Sequence, residues 1–423
     1  EFRRVLFRSA LSKSDDFSGK TFVLTNNIDM SGVSNWQMIG NDRYKFAGTF
    51  DGQNHTISGL TVEATADKGN SVGLFSMTSE NSVIKNVMLK QFTINVDEGI
   101  NSVAVGALVG IAHGTINNVS VSNFTLNGAN TQNAEYGGIV GKLENGTVRN
   151  SNASGTIKGN WNGYAGGIVG AMLNNSLISA SNSNMNISEG SNAGGIVGYG
   201  GFKGNNQTST ISNCLFGGRL SANVTNGAFI STVYTYQDNY KATLNINNSI
   251  SEVTGPTYLI GRASYGFDNT TNSISNTTIN VNNAFGVSTT NDTTIIKNMR
   301  LANFDFALYN DKGTNIAAAA VSSWAFSTNI KNITVDNINI VANGTDCDSG
   351  GLAGATDGGT FSNCTISGNI SGDWTGYAGG AVGHASFSSR LFAPDTNVNI
   401  SSGSTAPSKA GGIFGFACGQ GGS

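Results

Sequence analysis

A short unit of the form Gly-Gly-x-x-Gly, with two apolar residues at its centre, recurs along this chain at a nearly constant spacing. In a first array it begins at positions 106 (a looser copy), 137, 166 and 194, and in a second array at positions 350, 379 and 411. Within each array, successive units therefore start about 28–32 residues apart, a period in the range typical of a solenoid. In such a fold each repeat contacts only its neighbours.

Composition narrows the class of protein further. Hydrophobic residues make up 38% of the chain and the net charge is only −3, which argues against a disordered chain. Charged residues make up 12%, and no Lys/Arg-rich run offers a footprint for phosphates, so we expect no nucleic-acid partner. No apolar run approaches the roughly 18–20 residues of a membrane-spanning helix, so we expect no membrane span.

These features predict an all-β fold, a parallel β-helix (solenoid) of short strands with a repeat of about 28–32 residues. Each turn should supply about three strands that pair with the next turn at about 4.8 Å. Each buried Ile, Val or Leu then contributes about 1.5–3 kcal/mol. We expect the glycine pairs to turn the chain with φ > 0. We expect Asn117, Asn118, Asn150 and Asn332, at strand ends, to adopt left-handed geometry and stack in ladders.

The array is duplicated along the chain. Positions 161–167 read Trp-Asn-Gly-Tyr-Ala-Gly-Gly, and this stretch recurs at 374–380 as Trp-Thr-Gly-Tyr-Ala-Gly-Gly. We expect both natural ends of the protein to be missing. The predicted organisation is a non-native, adapter-like stretch at 1–9, an opening segment of the solenoid at 10–71, a first array at 72–200, irregular middle turns at 201–283, and a second array at 284–423 that stops inside a repeat.

The Gly-Gly-Ile-Val-Gly units, with the stretch Gly-Thr-Val-Arg-Asn-Ser at 146–151, resemble the repeats of GLUG-motif proteins. The stretches 36–40 and 46–60 resemble the segment that often precedes those repeats, and the resemblance covers most of the chain between positions 20 and 415. It implies a bacterial secreted or cell-surface protein, often very large, and such repeats also occur in IgA-specific metalloendopeptidases. It implies no enzymatic role for the motif, which is usually taken as part of an adhesive or stalk-like structure.

Candidate catalytic and metal-binding residues are sparse. His55, His113 and His384 form no i, i+4 pair, so the zinc site of a metalloprotease is absent and we expect no cofactor. A glycoside hydrolase needs two carboxylates about 5–9.5 Å apart. The densest acidic spot, Asp346 and Asp348, fits a calcium loop or half of such a site, but we favour a solvated turn. We therefore predict no catalytic residues and no hydrolase, lyase or protease activity.

The four cysteines show no Cys-x-x-Cys spacing. Cys214 and Cys364 each follow Ser-Asn and take the place that Ser151 holds in its repeat, which predicts small residues packed at a corner of the turn. A Cys347–Cys364 disulfide is the open alternative, since it depends on a Cα distance that the sequence does not give. Cys418 follows the last Gly-Gly unit.

Two aromatic pairs stand just before Gly-Gly units, Trp161 with Tyr164 and Trp374 with Tyr377. The favoured interpretation is that each Trp packs over a corner of its own turn and keeps its indole N–H in water. The alternative is a platform that stacks on sugars or binds proteins. At about 4.8 Å per turn, the two pairs are about seven turns, or roughly 35 Å, apart, so one extended ligand could engage both.

Two functional hypotheses follow from these residues. The first is a non-catalytic protein, secreted or on the cell surface, that acts as an adhesin or a stalk and presents an extended binding face. Its expected partners are host glycans or surface proteins. The second is a carbohydrate-active β-helix, a polysaccharide lyase or hydrolase, whose site lies in an unrecognised groove. The second requires carboxylates on one face of neighbouring turns, whereas the first does not.

Overall fold

The computed structural model describes residues 15–34, 36–223, 225–235, 242–247, 249–263, 270–275, 278–285, 287–290, 295–302, 305–310, 316–326, 329–344, 347–386, 389–402 and 409–418. The predicted adapter-like stretch at 1–9 lies outside these residues. The described part is all-β, and its one helical element is the short 3-10 turn Ala66–Lys68. The part of the chain that the structure describes contains no apolar helix with the length of a membrane span.

The strands are numbered β1 to β44 in chain order, and most are short. The first half of the series is Thr21–Val23, Ile28–Asp29, Thr49–Asp51, Thr56–Ser58, Thr61–Ala64, Ser71–Val72, Phe75–Met77, Val83–Lys90, Thr93–Val96, Ala104–Gly106, Val109–Ala112, Thr115–Gly137, Val140–Glu144, Thr147–Arg149, Asn152–Gly166, Val169–Leu173, Leu177–Ser179, Asn182–Ser188, Asn192–Gly194, Val197–Phe202, Gln207–Ser212 and Leu215–Phe216.

The second half continues in the same way beyond the middle of the chain. Its strands are Arg219–Ser221, Thr225–Thr235, Ala242–Asn247, Ile250–Ala263, Thr270–Ser275, Thr278–Phe285, Val287–Thr290, Ile295–Ala302, Asp305–Asn310, Ile316–Ala319, Ser322–Phe326, Asn329–Gly344, Cys347–Gly350, Ala353–Asp357, Thr360–Ser362, Thr365–Gly372, Tyr377–Gly379, Val382–Ser386, Arg390–Phe392, Asp395–Ser402, Lys409–Gly411 and Phe414–Cys418.

The strands stack as a parallel β-solenoid, as the repeat predicts. Each strand pairs in parallel with the equivalent strand of the next turn. One column of paired residues follows the stack through the middle of the chain into the second array. Its members are Phe22, Phe50, Ile84, Ile116, Val148, Ile178, Ile211, Ile246, Ile274, Ile296, Ile330, Phe361 and Leu391.

One turn of the first array shows how the repeat folds. It consists of β14 (Thr147–Arg149), β15 (Asn152–Gly166) and β16 (Val169–Leu173). The long strand β15 bends, so that it pairs with two separate strands of the next turn. Strand β16 begins just after the Gly-Gly pair. It pairs with the equivalent strands of the previous and the next turn, β13 and β20.

The core lies inside the stack and is built from the apolar residues of the repeat. Ile139, Ile168, Val197 and Leu352, from the apolar centres of four Gly-Gly units, are all fully buried. The amides of Ile139 and Ile168 donate to the carbonyls of Ile168 and Ile196, at 3.0 and 2.9 Å. Because each side chain is covered by its counterparts one turn away, no single turn could bury its own apolar face.

The Gly-Gly pairs are required by close backbone approach. None of the glycines at 137, 166, 194, 350, 379 or 411 has a left-handed φ, so the predicted reason, φ > 0, is wrong. A Cβ on Gly166 would instead overlap the carbonyl oxygen of Val169, and a Cβ on Gly379 would overlap that of Val382. The chain therefore turns so tightly that the first glycine lies against the carbonyl three residues later.

The predicted left-handed asparagines form a ladder at one corner. Asn118, Asn150 and Asn332 have φ of 55°, 52° and 54°, whereas Asn117 is not left-handed. The side-chain Nδ2 of Asn118 donates to Asn86 Oδ1 at 2.8 Å, and Nδ2 of Asn363 donates to Asn332 Oδ1 at 3.3 Å. The short amide side chain thus tolerates the geometry and also joins neighbouring turns.

Replacing Asn118 with alanine is expected to lower the free energy of unfolding by about 1–2 kcal/mol. Alanine is less favourable than asparagine in left-handed geometry, and the side-chain hydrogen bond to Asn86 is lost. Replacing it with glycine removes the same hydrogen bond and keeps the geometry, so it should cost less. Urea denaturation of both variants measures the difference. Equal losses would show that backbone geometry at this corner contributes nothing.

A second column lies one residue further along the same corner and contains the serine and cysteine positions. Ser151 Oγ donates to the Arg149 carbonyl at 2.8 Å, and the Cys214 and Cys364 thiols contact the Ser212 and Ser362 carbonyls at 3.2 and 3.3 Å. Cys214, Cys347 and Cys364 are buried and form no disulfide with one another, so the alternative Cys347–Cys364 bridge is not formed. Burial raises the pKa of Cys214 to about 11. The predicted packing role of the two corner cysteines is confirmed.

Candidate functional site

The two predicted tryptophans are packing elements. Trp161 is 2% exposed and Trp374 is 1% exposed, so neither ring presents a surface to a ligand. Trp161 packs at 5.4 Å from the ring of Tyr136, and a Cβ on Gly190, in the next turn, would overlap the indole. Both indole nitrogens are buried without a hydrogen-bond partner, so the expectation that they stay in water is wrong. Whether these four residues bind a ligand stays a prediction, which now depends on Tyr164 and Tyr377.

Tyr164 and Tyr377 lie in a concave feature that we call the inner corner. It is formed by the outward side chains of the two strands that flank a Gly-Gly unit. These strands approach closely, since a Cβ on Gly170 would lie 2.6 Å from the backbone of Glu135 and Tyr136, and one on Gly383 would lie 2.6 Å from Ser349 N. The third glycine of the unit therefore closes the corner.

The first inner corner contains Glu135, Lys142, Tyr164 and Tyr199. The Lys142 ammonium lies 2.8 Å from Glu135 Oε2, with the two side chains 24% and 18% exposed. The rings of Tyr164 and Tyr199 stack with centroids 4.9 Å apart. Tyr199 is buried with Ala171 and Leu173 in an apolar cluster separate from the main core, and Tyr164 packs against that cluster. The corner thus combines a charged pair with an aromatic pair on the outside of the solenoid.

Burial governs the electrostatics of this corner. It raises the pKa of the Glu135 carboxyl above its ordinary value, and the ammonium of Lys142 opposes that shift only in part. A second carboxylate, Glu144, accepts from the Asn174 amide at 3.0 Å and from the Lys203 ammonium at 3.4 Å. A carboxyl with a raised pKa inside a concave site is a candidate for ligand binding or acid catalysis.

The second inner corner has the same plan. Asp348 is 1% exposed; its Oδ1 accepts from the Tyr377 amide at 3.1 Å and its Oδ2 lies 3.4 Å from His384 Nδ1. The rings of Tyr377 and Phe416 stack at 4.7 Å. The Lys409 ammonium lies 5.2 Å from the Tyr377 ring and 5.3 Å from the Phe416 ring. An acid, a cation and a stacked aromatic pair therefore occur again in one corner.

The two corners are equivalent in the repeat. Glu135 and Asp348 each stand two positions before a Gly-Gly pair, and the same offset along the chain that relates them also relates Tyr164 to Tyr377. The aromatic pairs in the sequence pointed to the two tyrosines, but they did not point to Glu135, Lys142 or Tyr199 of the first corner. The position two residues before each glycine pair is the signal that could have found Glu135. The turns are seven steps apart, counted from Val148 through Ile178, Ile211, Ile246, Ile274, Ile296, Ile330 and Phe361.

Asp346 and Asp348 were the weak candidates for a metal site. Asp346 lies outside the described residues, and Asp348 forms the buried contacts with Tyr377 and His384. Within the described ranges, no three side chains of His, Cys, Asp or Glu are grouped so as to hold a metal ion. Asp348 is therefore buried and bonded within the second inner corner, so the expectation of a solvated turn is wrong for this residue.

Replacing Glu135 with glutamine should remove a pH dependence of stability. Because the folded-state pKa of Glu135 is raised, its contribution to stability is fully present below the unfolded pKa and is lost as pH rises through the folded pKa. The unfolding free energy of the wild type relative to Glu135→Gln should therefore fall as the pH rises above about 4, the pKa of the unfolded carboxyl. Urea denaturation across this range measures it, with Glu98→Gln, at an exposed glutamate, as the matched control. A difference that rises with pH would contradict the assignment.

Comparison with known proteins supports the resemblance to GLUG-motif repeats. Residues 132–158 match the family model described as the GLUG motif, a stretch that begins in β12, contains Glu135 and Lys142, and ends in β15. Over 104 residues, 23% of this chain, the sequence is 34% identical to a protein of Evansella cellulosilytica described as a Gly-rich membrane protein. That match spans 12% of the relative's length. No solved structure matches the chain.

Proposed function

We propose that this protein is a non-catalytic repeat protein, secreted or on the bacterial cell surface, that acts as an adhesin or stalk with an extended binding face. The repeated inner corner is the observation that carries this proposal. The same chemistry, an acid beside a stacked aromatic pair, is presented at two places seven turns apart along one stack. A site built twice on a long scaffold suits weak contacts that gain strength by acting together.

The comparisons support an envelope location. The relative from Evansella cellulosilytica is described as a membrane protein. The resemblance of this chain to GLUG-motif proteins implies a secreted or cell-surface location. The expected partners are host glycans or surface proteins. Half-buried tyrosines offer a flat ring for a sugar or an apolar side chain, and the partly exposed Glu135 and Lys142 of the first corner and Lys409 of the second can bond to hydroxyl or amide groups.

The test is binding to an array of host-type glycans and to immobilised extracellular-matrix proteins. The full chain is compared with Tyr164→Ala, Tyr377→Ala and the double variant, and with Tyr164→Phe as the matched control that keeps the ring. If both corners engage one ligand, the double variant should lose more binding than either single variant. Binding that is unchanged in the double variant, with unfolding free energies also unchanged, would refute a role for the inner corners.

A carbohydrate-active enzyme is the second candidate, because the first corner holds a carboxyl with a raised pKa, Glu135, near a second carboxylate, Glu144. Paired carboxyls of unequal pKa are the requirement for glycoside hydrolysis. Incubation with a polysaccharide panel, assayed for new reducing ends and for unsaturated products, separates the candidates. We expect no cleavage. Reproducible cleavage that Glu135→Gln abolishes would favour the enzyme.

A further inference from the structure

A separate cleft lies on the opening segment, away from both inner corners. It encloses about 630 Å³ between the stretch around residues 36–44 and the short 3-10 turn Ala66–Lys68. This volume is within the range of about 300–1,000 Å³ that is typical of small-molecule sites. Its lining is Trp36, Gln37, Met38, Gly40, Asn41, Arg43, Tyr44, Asp67, Lys68 and Ser76.

The wall of this cleft is held in place by its own hydrogen bonds. The Trp36 indole nitrogen donates to the Leu74 carbonyl at 3.2 Å, which fixes the buried ring against the next turn. Asn41 Oδ1 accepts from the backbone amides of Arg43 and Tyr44, at 2.9 and 2.8 Å. Because an asparagine cap of this kind fixes the turn, Arg43 and Tyr44 leave the backbone at defined positions.

The charges in the cleft are unbalanced. The Arg43 guanidinium lies 5.4 Å from the Tyr44 ring, and within the described residues neither Arg43 nor Lys68 forms an ion pair. Asp67 is the one acid in the lining, and its carboxylate accepts from the Thr65 side chain of its own turn, which lowers its pKa. The cleft is therefore lined by two cations and one carboxylate, on which the Lys68 charge also acts, and it keeps an excess of one positive charge.

We propose that this cleft binds an acidic sugar, a pyranose that carries a carboxylate. An arginine paired with a lysine recognises a carboxylate, and the guanidinium does so through two parallel hydrogen bonds. The Tyr44 ring is half-buried and lies beside the Arg43 guanidinium. It offers a face on which a pyranose can stack. The side chains of Asn41, Gln37 and Ser76 supply the polar groups that hydroxyls need. This proposal does not rest on the proposed surface function, since it uses none of the inner-corner residues.

Calorimetric titration of the full chain with trigalacturonate tests the proposal, with neutral maltotriose as the ligand control. We expect saturable binding of trigalacturonate alone. Arg43→Gln combined with Lys68→Gln should weaken it by about tenfold or more, the loss expected when bonds to a charged group are removed. Tyr44→Ala should also weaken binding. Arg149→Gln, an exposed charge on another part of the solenoid, is the matched control and should change nothing.

Several outcomes would overturn the proposal. One is an absence of saturable binding up to millimolar trigalacturonate, and another is equal binding of maltotriose. A third is equal weakening by Arg149→Gln, which would mark a general charge effect. Thermal unfolding of each variant shows that the cleft is still folded, since Arg43 and Lys68 stand at its surface and their loss should leave the unfolding temperature unchanged. A failed glycan-array experiment on Tyr164 and Tyr377 would leave this result unaffected.

Discussion

Replacing Gly166 with alanine is expected to lower the free energy of unfolding by about 3 kcal/mol or more, at the upper end for insertion of one methyl group. The new Cβ would overlap the Val169 carbonyl oxygen and would lie 2.5 Å from the amide nitrogen of Gly198 in the next turn. Both obstacles are backbone atoms of paired strands, so neither can move without breaking the stack. Urea denaturation with circular dichroism measures the loss.

Gly217→Ala is the matched control for this prediction. Gly217 also lies in the solenoid, has no left-handed φ, and has nothing within 4 Å of an added Cβ. Alanine there should leave stability unchanged or raise it slightly, because it restricts the unfolded chain. Equal effects at the two positions would show that the loss at Gly166 does not come from the tight turn.

Replacing Trp161 with alanine is expected to cost about 3–5 kcal/mol, the usual loss when a buried indole leaves a cavity. The indole packs between the Tyr136 ring and Gly190, and the surrounding strands are fixed by pairing, so the cavity cannot collapse easily. Trp161→Phe should cost much less than the alanine variant. It keeps an aromatic ring, and it removes a buried N–H that has no partner.

Trp374→Ala repeats this experiment in the second array, where the indole is equally buried and its nitrogen is also unpaired. Tyr164→Ala, at a half-buried ring, is the control and should cost less than either. A small loss for Trp161→Ala together with reduced glycan binding would contradict the packing role. It would favour the platform interpretation instead.

The periodicity of the sequence was sufficient to predict the solenoid, because each Gly-Gly unit marks the same point of a turn. The burial of Ile168 and Val197 follows from that phase, as does the placement of Asn118 and Cys214 at a corner. The reason for the glycines did not follow. The repeat indicates that a Cβ is excluded at Gly166, but two causes would give the same sequence: a positive φ, or a close approach of another backbone atom. The structure shows the second, with the Val169 carbonyl against Gly166.

The candidate site was less accessible to sequence reasoning. Tyr164 and Tyr377 attracted attention because they follow the rare Trp161 and Trp374, yet the tryptophans point into the structure and only the tyrosines line a corner. Glu135 and Lys142 lie on the two strands that flank one glycine pair, so that a fold is needed to bring them together. The sequence shows which residues take equivalent positions in the repeat, but it does not show which residues are in contact across the turn.

Strict parallel pairing has a consequence for how such a chain can change length. Along the column from Val148 through Ile178 to Ile211, each turn pairs in the same parallel manner with the turns on both of its sides. A whole turn is therefore an interchangeable cassette. Removing or inserting one complete period rejoins equivalent edges, whereas a part-period change would turn outward polar residues into the core. Genetic exchange can in this way lengthen or shorten the rod in fixed steps and change the distance between its corners without designing a new fold.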